Sequence, residues 1–321
     1  MKAWQHLSPT FLRIYNKSSL MLKSALCCVL LCFTTTVHSQ SMQRYRSNVF
    51  TDVTVEKNLS YHPGLVEYEK AYQFDLYQPK DDTATKRPLI IWLHGGGFKY
   101  GSKTDHSMRF WNKLYAQKGY VCVSINYRLS KYNPTSHFDE LLTSCFYAVQ
   151  DARTAIAYFR QNASHYNIDP DKIIIGGISA GAITALQAVY STNEQLGEIA
   201  HIPEAQIKKA LPYQPVSAVI SYWGAIFNLE WLGNNNVPIV CVHGTKDRIV
   251  QATAKSSFYG SIPIHTEADK RHIPNMLKLY EGYGHELQRH FNPLFAGPGT
   301  HKRWRDAGQF TADFLYKIIG Q

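Results

Sequence analysis

The stretch "IIIGGISAGAITAL" (173–186) decides how this chain is read. Three isoleucines form a short apolar run of β-branched residues, the composition of a buried strand. Two glycines then interrupt it, and a lone Ser179 sits between Gly177 and Gly181. After the turn, 182–190 is rich in alanine and leucine, with Ile183, Leu186 and Val189 at helical spacing. A nucleophilic serine on a sharp elbow requires strand, turn and helix in that order. Small residues at 177 and 181 fit, because a strained turn leaves no room for side chains beside the serine. G-x-S-x-G arises by chance in roughly one chain of this length in ten, so the flanking elements carry the inference. A glycine-softened turn with an idle serine is the competing reading.

Working outward, apolar runs alternate with helical stretches. "VFTDVTVEKNLSY" (49–61) and "YQFDLYQP" (72–79) alternate as strands do. "LIIWLHGGG" (89–97) and "YVCVSINYRL" (120–129) flank a helical stretch around 107–118. Residues 143–162 read as a long amphipathic helix. "AVISYWG" (218–224), "VPIVCVHG" (237–244) and "MLKLYEG" (276–282) are further strands. Helices are expected near 252–259 and 305–319. Continuously apolar strands interleaved with helices predict an α/β fold: a mostly parallel central sheet covered by helices on both faces, with the antiparallel start at its edge. No internal repeat interrupts this order.

The first 39 residues have the pattern of a secretory signal peptide. Arg13, Lys17 and Lys23 precede the apolar run "ALCCVLLCF" (25–33), and Val37 and Ser39 are placed for cleavage after Ser39. The run is shorter than the roughly 20 residues that span a bilayer. Met21 opens a more ordinary signal by itself. The expectation is an exported protein, secreted or periplasmic, with residues 40–321 as one catalytic domain. Loss of Lys2, Arg13, Lys17 and Lys23 lowers the formal charge from +10 to about +6. No dense Lys/Arg stripe accompanies it, so nucleic acid is not an expected partner. Cys122, Cys145 and Cys241 remain, an odd number in apolar settings, and buried free thiols are expected.

In a parallel sheet, functional loops lie at the carboxyl ends of strands. Four such ends carry glycines or reactive groups: "HGGG" (94–97), Ser179, "HGTKD" (243–247) and "GYGHE" (282–286). A serine hydroxyl needs a base, and His285 follows a late strand in a loop with Gly282 and Gly284. His94 and His243 read as residues that pin loops by hydrogen bonds. The imidazole needs a carboxylate, and Asp247 follows a strand end 38 residues before His285. An Asx-turn is the structural alternative for Asp247. Glu267 and Asp269, in "IHTEADKRHIP" (264–274), read as part of a solvent-facing connection. A tetrahedral intermediate needs preorganised N–H donors, which glycine-rich "HGGG" and Ala180 can provide. No Lys-Ser/Thr pair follows "HGGG" as a phosphate loop requires.

"HGGGF" (94–98), "GISAG" (177–181), "HGTKD" and "GYGH" together resemble the α/β-hydrolase carboxylesterases with an HGGG oxyanion loop. "AVQDARTAIAYFRQNASHYNIDPDKI" (148–173) resembles the helix and turn before the nucleophile in that group. The resemblance covers roughly 50–319. It implies a triad of Ser179, Asp247 and His285, and an oxyanion hole from the amides of Gly96, Gly97 and Ala180. Ile178 departs from the polar or small residues common at its position. Strand-like residues 45–80 replace a large N-terminal cap, which is closer to secreted carbohydrate esterases acting on feruloyl or acetyl-xylan esters. Phe98, Tyr222 and Trp223 are candidate pocket walls, and the insert 192–215 is a candidate pocket-shaping segment. The expected function is a serine carboxylic-ester hydrolase that favours short or aromatic acyl groups on small-molecule or carbohydrate esters. It needs neither metal nor cofactor. A peptidase or lipase on the same fold, and a catalytically silent binding protein, are the alternatives.

Overall fold

The computed structural model describes residues 44–65 and 69–319, so the signal segment expected at 1–39 lies outside the described residues. The chain divides into two units at Arg44/Tyr45, and the second, Tyr45–Gln321, is compact. The second contains an eight-stranded sheet. Its strands are β1 (Val53–Ser60), β2 (Gln73–Pro79), β3 (Arg87–Leu93), β4 (Val121–Ile125), β5 (Ile168–Ile178), β6 (Ala218–Tyr222), β7 (Ile239–Gly244) and β10 (Asn275–Tyr280). They lie in the order β1-β2-β4-β3-β5-β6-β7-β10. The pairs β1 with β2 and β2 with β4 are antiparallel, and all others are parallel. The alternating N-terminal segments thus form the antiparallel edge, as their pattern predicts.

The paired stretches at the centre of the sheet, such as Leu89–Leu93 and Ile173–Ile175, are apolar because both faces are covered. On β3, Leu89, Ile91 and Leu93 face one core, and Ile90 and Trp92 face the other. The first core is closed by α2 (Phe138–Gln161), α3 (Ala180–Tyr190) and α6 (Ser261–Lys270). The second is closed by α1 (His106–Ala116) and α7 (Pro298–Ile319), with Trp92, Trp111 and Trp304 packed ring against ring. Cys122, Cys145 and Cys241 are free and buried. No helix among the described residues is long and apolar enough to cross a membrane.

Three segments differ from expectation. The helix expected near 252–259 is instead a small hairpin of β8 (Ala254–Lys255) and β9 (Phe258–Tyr259). The helix follows it as α6 and takes in much of the stretch read as a charged connection. Its inner face is thin: Ile264 and Ala268, four residues apart, are buried. Its outer face pairs Glu267 with Arg271 at 2.7 Å, a spacing that supports a helix. The insert 192–215 holds two short helices, α4 (Asn193–Ile199) and α5 (Glu204–Ile207). They dock on α2, through Gln150 to Asn193 (3.1 Å) and Tyr147 to Gln206 (2.8 Å).

Candidate active site

Ser179 stands where β5 meets α3, with its backbone at φ 52° and ψ −121°. That left-handed conformation costs a residue with a Cβ on the order of 1–3 kcal/mol. The flanking glycines make the turn sterically possible. A Cβ on Gly177 would lie 2.2 Å from the carbonyl carbon of Gly181, and one on Gly181 would lie 2.1 Å from the Leu93 oxygen. The elbow is tied on both sides: Ser179 N–H donates to the Tyr222 carbonyl (3.0 Å), and the Ser179 carbonyl accepts from Ile183 N–H (2.9 Å). Gly181→Ala is expected to cost about 3 kcal/mol in urea unfolding, because the added methyl meets backbone that cannot yield. Gly95→Ala, whose nearest contacts would be 3.4 Å away, is expected to change stability by less than about 1 kcal/mol. Equal losses at the two positions would contradict this packing.

His285 opens a 3₁₀ turn, His285–Leu287, just after β10. Its loop is fastened to the loop after β7. Lys246 N–H donates to the Tyr283 carbonyl (2.8 Å), and Gly282 N–H donates to Thr245 Oγ1 (3.0 Å). The two backbones touch at Gly244, where a Cβ would lie 2.3 Å from the Tyr283 oxygen. From behind, α7 holds the same turn: Arg303 Nε donates to the Leu287 carbonyl (2.7 Å), and Trp304 Nε1 to the Glu286 carbonyl (2.8 Å).

These constraints bring three side chains into line. His285 Nδ1 lies 2.7 Å from Asp247 Oδ2, and His285 Nε2 lies 3.0 Å from Ser179 Oγ. With a proton on Nδ1 donated to the carboxylate, Nε2 is free to accept the serine hydroxyl. The other carboxylate oxygen, Oδ1, accepts from Ile249 N–H (2.9 Å) and Val250 N–H (3.0 Å). Asp247 is thus both an Asx-turn residue and the partner of His285; one oxygen serves each role. His243 Nε2 is 2.8 Å from the Val250 carbonyl and 3.4 Å from Asp247 Oδ2, so it pins this turn. Burial by itself would raise the Asp247 carboxyl, but hydrogen bonds from His243 and His285 hold it well below the usual carboxylate range. His94 likewise pins a loop: its ring stacks on Tyr127 and its Nδ1 meets the Gly95 carbonyl at 2.7 Å.

Ser179 and His285 open into a cavity of about 520 Å³, together with Gly95, Gly96 and Gly97. Gly96 (φ 104°) and Gly97 (φ 61°) adopt left-handed backbone there. A Cβ on Gly96 would collide with the Tyr100 carbonyl oxygen at 2.1 Å. Ala180 follows Ser179 as the first residue of α3 and is buried.

Residues 74–231 match the family described as BD-FAE. Gut esterase 1 of Caenorhabditis elegans is 30% identical over 125 residues, covering 38% of this chain and 21% of that protein. Para-nitrobenzyl esterase of Bacillus subtilis (strain 168) is 31% identical over 137 residues, covering 41% of this chain and 27% of that protein. The chain therefore spans only about a quarter of the length of these curated relatives. Among solved structures, butyrate-bound esterase 2 of Thermogutta terrifontis superposes with a TM-score of 0.58 at 20% identity, covering 83% of this chain and 94% of that chain. The chain has the α/β-hydrolase fold. A truncated carbohydrate esterase from gut microbiota shares the hydrolase fold as well, with a TM-score of 0.55 at 17% identity, over 83% of this chain and 98% of that one.

The hydrolase fold assigns the three candidate wall residues to other places. Phe98, Tyr222 and Trp223 are fully buried and do not line the cavity. Phe98 packs into the core beneath α2. Tyr222 points to the opposite layer, where its hydroxyl meets Tyr115 (2.9 Å) and Thr311 (2.8 Å). Trp223 lies behind the His285 ring, edge to face at 6.4 Å between centroids. The insert 192–215 also contributes nothing to the cavity lining. The outer wall comes instead from Tyr100, Ile249 and the segment 291–296. Phe291 meets the His285 ring at 5.1 Å, and Leu294 and Phe295 are exposed. The available signal was "HFNPLFAG" (290–297): three large apolar residues without strand or helix periodicity, next to the base.

Proposed function

We propose that the chain is an exported serine carboxylic-ester hydrolase that acts through a covalent acyl-enzyme. One observation carries this reading: the unbroken hydrogen-bonded line from Asp247 through His285 to Ser179, ending at a strained elbow that faces the cavity. In the first half-reaction, Ser179 Oγ attacks the ester carbonyl carbon as His285 Nε2 takes its proton. Asp247 steadies the imidazolium through Nδ1. Amide N–H groups of Gly96, Gly97 and Ala180 receive the developing oxyanion. The C–O bond to the alcohol then breaks, and His285 returns the proton to the leaving oxygen. Water repeats the sequence on the acyl-serine and releases the acid. The esterase relatives support this chemistry, and the pattern of 1–39 supports export with cleavage after Ser39. The mass of the mature exported protein checks the cleavage site.

Short or aromatic acyl groups are favoured. The support is enclosure and not volume: the cavity of about 520 Å³ is walled on its outer side by the exposed Leu294 and Phe295, and no large N-terminal cap is present among the described residues to shelter a long chain. Each buried methylene adds only about 0.8 kcal/mol where a tunnel exists to bury it. A panel of nitrophenyl esters from acetate to palmitate, with feruloyl and acetyl sugars, tests the reading. Turnover is expected to peak at short or aromatic acids. A steady climb to long chains overturns the preference, and no turnover on any ester overturns the function.

A further inference from the structure

The cavity beside Ser179 has a charge character opposite to that of the whole protein. The chain carries a formal charge of +10, yet no Lys or Arg lines this cavity. Asp105 and Glu286 both line it, and Trp304, Phe291, Phe295 and Tyr100 present aromatic rings around them. Glu286 is aimed by its backbone: the residue is left-handed (φ 53°), and its carbonyl is held by Trp304 Nε1. Its carboxyl enters no ion pair among the described residues, and Gln288 Nε2 approaches it only at 3.5 Å. The Asp105 carboxylate is fixed by Ser102 N–H (3.1 Å) and Ser102 Oγ (3.0 Å).

We propose that Glu286 and Asp105 make this cavity select esters by charge, preferring a cationic group on the ester over a neutral one and rejecting an anionic one. The inference rests on the hydrolase reading of Ser179. An ammonium beside two carboxylates and several ring faces gains both Coulomb and cation–π attraction, and a carboxylate or sulfonate there meets only repulsion. The basic net charge of the protein would draw anions, so a preference for cations has to originate in the cavity itself.

Burial raises the Glu286 carboxyl to about 7, with the Asp105 and Asp247 carboxylates adding to the rise and Gln288 opposing it. The groups around it are Asp105 and His106 at the start of α1, Asp247 after β7, His285 beside it in sequence, and Arg303 of α7. Arg303 is engaged elsewhere, on the Leu287 carbonyl and over the Tyr283 ring. A carboxyl raised in the folded state favours folding when protonated, and its contribution to stability falls as pH rises from about 4.5 toward about 7. Glu286 is thus an uncompensated acid whose location favours binding over stability.

Three acetate esters of matched size test this: those of 3-(trimethylammonio)phenol, 3-tert-butylphenol and 3-hydroxybenzenesulfonate. Each kcat/KM is divided by the rate of the same ester with hydroxide, to remove leaving-group reactivity. The corrected cation-to-anion ratio is expected to be at least about tenfold, to grow between pH 6 and pH 8, and to shrink with added salt. Glu286→Gln and Asp105→Asn are each expected to lower the ratio about threefold or more. Glu286→Gln should also raise the urea midpoint at pH 8 and leave it unchanged at pH 4. A ratio near one, or a ratio that neither substitution moves, overturns the proposal. Calorimetric titration of Ser179→Ala with phenyltrimethylammonium and with benzenesulfonate reads the same preference without turnover. Preferential binding of the cation by a chain that cleaves none of the esters would sustain the charge selection and overturn the hydrolase reading. Equal binding of both ions would overturn the charge selection alone.

Discussion

Ser179→Ala is expected to lower ester turnover by roughly 10⁶-fold, the scale seen when a catalytic serine is lost from a unit of this kind. Ser179 Oγ is the group within reach of His285 Nε2 at 3.0 Å, and it faces the cavity in which an ester can lie. Alanine retains a Cβ, so the elbow at φ 52° bears the same backbone cost as before. Stability should therefore change by less than about 1 kcal/mol in urea unfolding. A phosphonate directed at serine should label the wild type and leave the variant unmodified. Labelling that persists in Ser179→Ala would place the nucleophile elsewhere, and a loss of turnover matched by a loss of folding would remove the catalytic argument.

Asp247→Asn is expected to cost on the order of 10⁴ in turnover with the fold retained. The amide oxygen can still accept from Ile249 and Val250 N–H, so the turn persists. The amide nitrogen then faces His285 Nδ1 and donates to it. That forces the imidazole proton onto Nε2, where it points at Ser179 and blocks the base. The other acids of the late strands have different partners. Glu267 pairs with Arg271 at 2.7 Å, Asp269 accepts from Asn275 at 2.8 Å, and both lie on or at the end of the outer face of α6. Single amide substitutions at Asp247, Glu267, Asp269, Glu281 and Glu286, assayed for kcat on one small neutral ester, separate them. A 10⁴ loss at Glu267 or Asp269 with none at Asp247 overturns the assignment.

The strands and the elbow were legible in the sequence because they answer to local rules. A stretch of strand covered on both faces must be apolar, so the cores of β3 to β7 announce themselves. Gly177 and Gly181 are visible because backbone touches backbone at both places. Asp247 and His285 could be chosen from many acids and 14 histidines because strand ends mark the functional edge of such a sheet. The cavity walls followed no such rule. Tyr222 and Trp223 stand at a strand end beside the Ser179 elbow, yet both side chains pack into the core closed by α1 and α7 instead of lining the cavity. The true wall, 291–296, is irregular backbone whose position depends on the packing of α7 behind it. The helix α6 was obscured for a related reason: its buried face is so narrow that charge dominates its composition.

The close approach of the β7 and β10 loops at Gly244 has a mechanical consequence. Base and acid sit on one stapled body, joined by Lys246 to Tyr283 and by Gly282 to Thr245, while the nucleophile belongs to another, built from β5 and α3. Alignment therefore depends on the 3.0 Å hydrogen bond by which the side chains of Ser179 and His285 meet. Crowding substitutions behind α7 or a shift of β10 are expected to lengthen that contact before they part the imidazole from its carboxylate. Damage far from the elbow should then register as lost nucleophilicity in an otherwise intact acid–base couple.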